Sequence, residues 1–284
     1  MDKFIDIEQY NGLINNAKKE YKPVVTNCYI YSSEIEKYIR QGRFLYEKHV
    51  GGLLIYIDEV TYYRAYYYWN LDYSLEIGKK DKCVAVTHIY NGGKSEKLIQ
   101  MEGKLLKAGF HMGDLMDYMQ AERYLYKKNL EMYLPMAERI FHDAGLEVKV
   151  PTIEMIHQIR NCQAQMETIP YYEIPYMSDE EMYRAGQEGK MTCVINKEGK
   201  VCAVWAILFP NSTHGWVGIL REYRKFSGIA IIQRKDPLLY AEKNNLNMTT
   251  AISEANEQSM KFHIRLGYRP TGRHIEFWVR EESH

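Results

Sequence analysis

Two stretches of this chain carry the same pattern, and that repetition restricts the fold more than any other feature. Ser32 to Gly42 (SSEIEKYIRQG) is followed by LLIYIDEVTYYRAYYYW, and Ser178 to Gly189 (SDEEMYRAGQEG) by TCVINKEGKVCAVWAILF. Each is a helix with hydroxyl and acidic residues at its start, a glycine turn and a pair of β-rich runs. The ends agree as well: SEKLIQMEGKLLKAGF in the first half parallels NEQSMKFHIRLGY in the second. Agreement at two separate places points to a duplicated fold, and 284 residues suffice for two cores of ordinary size. The expected class is α/β in the α+β sense, two mixed-sheet domains with flanking helices.

Local signals divide the chain further. Residues 1–22 read as a short polar helix or irregular arm, Val24 to Tyr31 as a strand, and Ser32 or Ser33 as the N-cap of a helix running to about Tyr46. Residues 112–144 read as helical, with Pro135 marking a break or a new start. The expected domains are therefore residues 1–111, a helical connector over 112–144, and 145–284. The 25 tyrosines read as amphipathic strand surface, with an apolar body and a hydrogen-bonding tip.

The halves differ between the hairpin and the final helix. The second half holds VGILREYRKFSGIA (Val217 to Ala230), the helix pattern GIAIIQRKDPLLYAEKNN and the strand NMTTAISEAN, where the first half has only Asp72 to Asn91. Val217 to Ala230 reads as a strand handing over, through a basic turn, to a helix start. Such a start leaves backbone N–H groups unpaired and carries partial positive charge, which suits phosphate. Arg224 and Lys225 add full charges, Gly228 permits close approach, and Ser227 and Ala230 are small. The first half lacks this unit, so its expected role is structural or substrate-shaping.

Composition excludes several classes. Lys+Arg and Asp+Glu are both 37, which removes the electrostatic case for nucleic acid or an anionic membrane as main partner. Five scattered cysteines without C-x-x-C pairing indicate neither a disulfide framework nor a zinc site, and no metal is expected. No apolar run reaches the length of a signal peptide or a membrane span, so the expected location is the cytoplasm.

Lys225-Phe226-Ser227-Gly228-Ile229-Ala230 resembles the Arg/Gln-x-x-Gly-x-Gly/Ala phosphate motif of the GCN5-related N-acetyltransferase family, with Lys in first place and one extra residue in the loop. Asn256-x-x-Ser259-x-x-Phe262-His263-x-x-x-Gly267-Tyr268 resembles the family's final helix. The resemblance covers the second half, about Leu146 to Arg280; in the first half it extends only to the scaffold, which would be a degenerate copy. It implies a sheet splayed between its fourth and fifth strands with acetyl-CoA as co-substrate in the cleft. Gly218, Ile219 and Leu220 would pair with the pantetheine arm, and the amides of the loop through Phe226, Ile229 and Ala230 would hold the pyrophosphate, met by Arg224 or Lys225. Asn256 and Ser259 complete the implied cofactor set.

The implied reaction is direct N-acyl transfer to an amine of a small molecule or peptide, by a monomer or homodimer. His263 stands where family members often carry a Tyr acid; His214 and Glu254 are the candidate bases. Two other readings stay open. One is a CoA-binding or interaction module with degraded catalysis. The other is an aminoacyl-tRNA-dependent transferase on the same duplicated scaffold.

Overall fold

A computed structural model describes residues 1–165, 170–207, 212–226 and 228–281. By its internal contacts the chain divides into two compact units: Met1–Met116 with Gly272–His284, and Asp117–Thr271. The elements of the first unit are β1 (Asp2–Lys3), α1 (Ile7–Glu20), β2 (Val24–Thr26), α2 (Ser32–Arg40), β3 (Phe44–His49), β4 (Gly52–Asp58), β5 (Tyr62–Asn70), β6 (Cys83–Asn91) and α3 (Glu96–Lys107). The chain leaves this unit within β7 (His111–Ala121). The second unit contains α4 (Arg123–Asp143), β8 (Glu147–Lys149), α5 (Ile156–Ala164), α6 (Asp179–Gln187), β9 (Met191–Ile195), β10 (Val201–Ile207), β11 (Gly215–Ile219), α7 (Gly228–Ile232), α8 (Lys235–Asn244), β12 (Met248–Ser253) and α9 (Glu257–Arg265). The last strand, β13 (Arg269–Arg280), carries the chain back to the first unit.

In the first unit the strands run in the order β1-β3-β4-β5-β6-β13, with β2 added to β5. The sheet is mixed: β5 and β6 are parallel over Tyr62–Ala65 and Cys83–Val86, while the β1–β3, β3–β4, β4–β5, β2–β5 and β6–β13 pairs are antiparallel. β4 (GLLIYID) is a continuous apolar run because both its faces are covered. Leu53, Ile55 and Ile57 join the cluster of Tyr10, Ile14 and Ala17 from α1 and Ile35 and Tyr38 from α2. Leu54 and Tyr56 face the opposite way, with Met101 and Leu105 of α3. Tyr56, Tyr62 and Tyr67 are fully buried, so the tyrosines of this sheet are core as well as surface.

In the second unit β11-β10-β9-β8 form an antiparallel sheet, and β12 lies beside β7. Val204 and Ala206 of β10 pack with α5 and α6, whereas Ala203 packs with Ala137 and Phe141 of α4 and Ile229 and Ile232 of α7. Ser178 caps α6 in a reciprocal capping box with Glu181, the start signal read from the sequence. No helix of the described residues is long and apolar enough to cross a membrane.

The structure corrects four readings. The expected connector 112–144 is a strand followed by one helix, since β7 takes residues 111–121 and α4 continues through Pro135. The expected 145–284 domain loses its end to the first unit, because Arg273–Arg280 of β13 pairs antiparallel with Val84–Asn91 of β6. α2 stops at Arg40 rather than Tyr46, where Gly42 (φ 65°) turns the chain into β3. The single helix expected after Gly228 is two, α7 and α8. Pro237 in the first turn of α8 has no N–H to continue a helix from Gln233 and its ring crowds the Gln233 carbonyl, so the break falls there.

Candidate functional site

The site expected from sequence lies in the second unit, around β11 and the loop that follows it. β11 is the edge strand of its sheet, and β12 belongs with β7, so among the described residues no ladder joins β11 to β12. Hydrogen bonds tie the two where they begin. The Thr249 N–H donates to Thr213 Oγ1 at 2.6 Å, Ser212 Oγ lies 3.0 Å from Thr249 Oγ1, and Thr213 Oγ1 is 3.3 Å from the Asn247 carbonyl. A pair of strands pinned at one end and unpaired beyond it leaves the outer edge of β11 with backbone donors and acceptors facing a slot.

The register identifies which groups face it. Gly218 lies opposite Val204 and Ile219 opposite Ala203, and the Leu220 N–H donates to the Cys202 carbonyl at 2.9 Å. Pairs that exchange hydrogen bonds alternate along an antiparallel ladder, so Gly218 and Leu220 turn their backbone groups towards β10, while Val217 and Ile219 turn theirs outward. This corrects the expected set: Gly218 and Leu220 are occupied by the sheet, Ile219 remains at the edge, and Val217 joins it. An alternating ladder shows this only once its partner strand and register are known.

The basic loop is held by its own structure. The N–H groups of Tyr223, Arg224, Phe226 and Ile229 donate to Leu220, Arg221, Tyr223 and Phe226 carbonyls, closing successive turns. Tyr223 and Phe226 pack on the α4–α7 core, and Asn196 Nδ2 donates to the Tyr223 hydroxyl at 2.8 Å. The Phe226 and Ile229 amides are therefore engaged, contrary to the expected phosphate cradle; Ala230 lies within α7 and is half-buried. Gly228 is needed for a different reason from the one expected. A Cβ there would lie 2.7 Å from the Ala137 carbonyl oxygen, so the missing side chain lets α7 press against the backbone of α4. Ser227 lies outside the described residues. The two cations also separate: Arg224 Nε donates to the Ile219 carbonyl at 3.1 Å, while the exposed Lys225 holds Nζ 5.2 Å from the Phe226 ring centre.

On α9, Asn256 is the N-cap and its side chain accepts from the Ser259 N–H at 3.0 Å, so both residues serve the helix start. His263 is 2 % exposed. Its Nδ1–H donates to the Ser259 carbonyl at 2.8 Å, Nε2 is buried without a partner, and the Phe262 and Tyr268 rings enclose it. Burial, with the Arg234 guanidinium adding repulsion, lowers its pKa to about 3. A neutral, enclosed imidazole whose one N–H is held by the Ser259 carbonyl is not an acid near neutral pH, contrary to the expectation at this position. Glu254 is exposed just past β12, with a carboxylate oxygen within 4.8 Å of one from Asp117.

His214 stands at the start of β11 beside the tie to Thr249. It is half-buried immediately before β11, its N–H donates to Ser212 Oγ at 2.9 Å, and its ring stands edge-on to Tyr118 at 6.0 Å. Tyr118 was not singled out by sequence because it sits in a segment read as helical. Arg234, half-buried with Nε lacking a partner and 5.8 Å from the Phe262 ring centre, was missed for the same kind of reason: its neighbours come from other elements. Burial pushes the Cys162 and Cys193 thiols up to about 12, so neither offers a thiolate.

No family model matches the sequence, and no curated protein matches it either. Solved structures do resemble it. A GCN5-related N-acetyltransferase-like protein from Streptococcus suis is 9 % identical over 95 % of this chain and 99 % of its own, with a TM-score of 0.50. An acetyltransferase from the GNAT family of Colwellia psychrerythraea is 11 % identical over 99 % and 98 %, with a TM-score of 0.48. At such identity the likeness to the Streptococcus protein is one of fold: this chain has the α/β, mixed-sheet architecture of a GCN5-related N-acetyltransferase-like protein.

Proposed function

We propose that the protein is an acyl-CoA-dependent N-acyltransferase, with acetyl-CoA as donor and an amine of a small molecule or peptide as acceptor. The observation that carries this reading is the slot beside β11, pinned shut by Thr213 and Thr249 and lined beyond that tie by the outward backbone groups of Val217 and the Ile219 N–H, the Ile219 carbonyl being taken by Arg224 Nε. A pantetheine arm carries amides spaced along an extended chain and pairs with such an edge as a strand does. Lys225, exposed at the loop beyond the strand, is the cation offered to the pyrophosphate, while Arg224 braces the loop against Ile219. In the transfer the amine nitrogen bonds to the thioester carbon, the carbon–sulfur bond breaks, the base takes a proton from nitrogen and the departing thiolate receives one. His214 is the base in this scheme and the Tyr118 hydroxyl the acid.

The first unit is, in this reading, a second copy of the scaffold whose slot is filled by its own chain. β5 and β6 pair in parallel only over Tyr62–Ala65 and Cys83–Val86; past that point β2 pairs with Tyr68–Asn70. The buried Asn27 side chain bridges the opening, donating to the Ala65 and Thr87 carbonyls at 3.3 and 3.1 Å and accepting from the Tyr67 N–H at 2.8 Å. Those groups are the ones a ligand would otherwise meet.

Calorimetry with CoA and acetyl-CoA tests the proposal. Val217→Pro removes one outward N–H without touching the β10 ladder and is expected to weaken binding by about five- to tenfold, the worth of one hydrogen bond. Absence of CoA binding by the folded protein rejects the reading. The neutral His263 favours one alternative, a CoA-binding module without catalysis; thiol release with a panel of amines, lost in His214→Ala, excludes it.

A further inference from the structure

In the first unit a buried polar cluster has no part in the proposed transfer. His88 of β6 and Glu276 of β13 are cross-strand partners, and Glu102 reaches them from α3; they are 1 %, 1 % and 8 % exposed. His88 Nδ1 and one oxygen from each carboxylate lie within 4.8 Å of one another. The outer contacts are built to orient these groups. The Tyr67 hydroxyl is 2.9 Å from His88 Nε2, the Tyr90 hydroxyl donates to Glu276 Oε1 at 2.8 Å, and Trp278 Nε1 donates to Glu276 Oε2 at 3.2 Å.

Two buried carboxylates need compensating positive charge, and one ammonium leaves them short. Lys94 places Nζ 2.6 Å from Glu276 Oε1 and 2.9 and 3.0 Å from the two Glu102 oxygens. Its side chain is still 26 % exposed, and it follows Gly92 and Gly93, where a Cβ would meet nothing within 4 Å. His88 Nδ1 is buried and has no hydrogen-bond partner; at 3.7 Å, Glu102 Oε1 is out of hydrogen-bonding range. At 3.7 Å from Glu102 Oε1 the nitrogen is within ion-pair range when the imidazole is protonated, yet it makes no hydrogen bond there, and a neutral imidazole would turn an unused lone pair towards both carboxylates.

We propose that His88 Nδ1, Glu102 and Glu276 form a divalent-cation site suited to zinc, in which Lys94 holds the cation's place and swings outward when the metal enters. One imidazole and two carboxylates match zinc's ligand preferences and neutralise its charge. With Nε2–H donated to the Tyr67 oxygen, the Nδ1 lone pair points inward, the arrangement that orients ligating histidines. Water supplies the fourth position.

The test uses the full chain after chelator treatment and dialysis, titrated with zinc by calorimetry, with cobalt absorption as a second reading of the ligand set. Wild type is expected to bind one zinc per chain. Tyr67→Phe, which removes only the orienting hydroxyl, is expected to weaken binding by about tenfold. Lys94→Met is expected to bind zinc more tightly than wild type and to melt lower without metal, zinc restoring its melting temperature; His88→Gln and Glu276→Gln are expected not to bind. Zinc affinity that is undetectable in wild type and Tyr67→Phe alike, or that survives both His88→Gln and Glu276→Gln, overturns the proposal. In the first case Lys94 is the cluster's permanent cation; in the second the metal binds elsewhere on the surface. If Lys94→Met does not fold with or without zinc, the wild-type and Tyr67→Phe affinities decide the matter.

Discussion

Protonating His263 is predicted to destabilise the second unit, and the size of the effect follows from its setting. In the unfolded chain the imidazole titrates near the ordinary histidine value of 6.5, whereas burial, with Arg234 nearby, holds it at about 3 in the folded protein. The unfolded state therefore takes the proton first. Stability is complete above the unfolded value and is lost as pH falls towards the folded one, at about 1.4 kcal/mol per pH unit. Between neutral pH and a pH of about 5, one and a half units lie below the unfolded value, so His263 alone costs the protein about 2 kcal/mol. Other groups titrate in the same window, and a variant isolates the contribution. His263→Phe has no titratable group and loses the bond to the Ser259 carbonyl, a pH-independent offset of about 1 kcal/mol. Urea unfolding of both proteins at the two pH values is expected to show wild type losing about 2 kcal/mol more than the variant. Parallel losses, or a His263 resonance that titrates near 6.5 by NMR, would refute the reasoning and restore the residue as a candidate acid.

Three further outcomes are expected. Gly228→Ala drives a methyl to 2.7 Å from the Ala137 carbonyl, a backbone atom that cannot step aside, and should cost about 1–3 kcal/mol, read as a lower melting temperature. Thr213→Val leaves the Thr249 N–H without its 2.6 Å acceptor at a buried position; a loss of about 1–3 kcal/mol is expected by chemical denaturation, and Thr213→Ser should recover most of it. Asn27→Leu keeps the volume but abandons the Tyr67 N–H and the Ala65 and Thr87 carbonyls; unfolding should show at least about 2 kcal/mol of lost stability, and an unchanged protein would mean that β2 and not Asn27 closes the first unit.

The second unit was legible largely because its signals are local. The Ser178 cap and the strands β9 and β10 each depend on residues within a few positions of one another. The loop after β11 was found by its charges and glycine, yet the reasons for those residues were misread. Gly228 answers to Ala137, ninety-one positions earlier, and Arg224 answers to Ile219. His263 looked like an exchangeable proton because its environment is made by Tyr268 and Arg234, which a helix pattern does not show.

By itself the sequence determined the repeated helix-and-hairpin pattern, the position of the basic loop and many element types, though not the strand β7, which it read as helix, since periodicity, caps and turns are properties of neighbouring residues. Only the tertiary structure decided which strand pairs with which. It returned β13 to β6, turned Val217 outward and Gly218 inward, and laid β2 into the opening of the first unit. It also joined His88, Glu102 and Glu276, residues of a strand, a helix and the distant last strand, in one buried cluster. Ladder partners and buried charges are matters of long-range register and desolvation, and neither leaves a mark at fixed spacing along a chain.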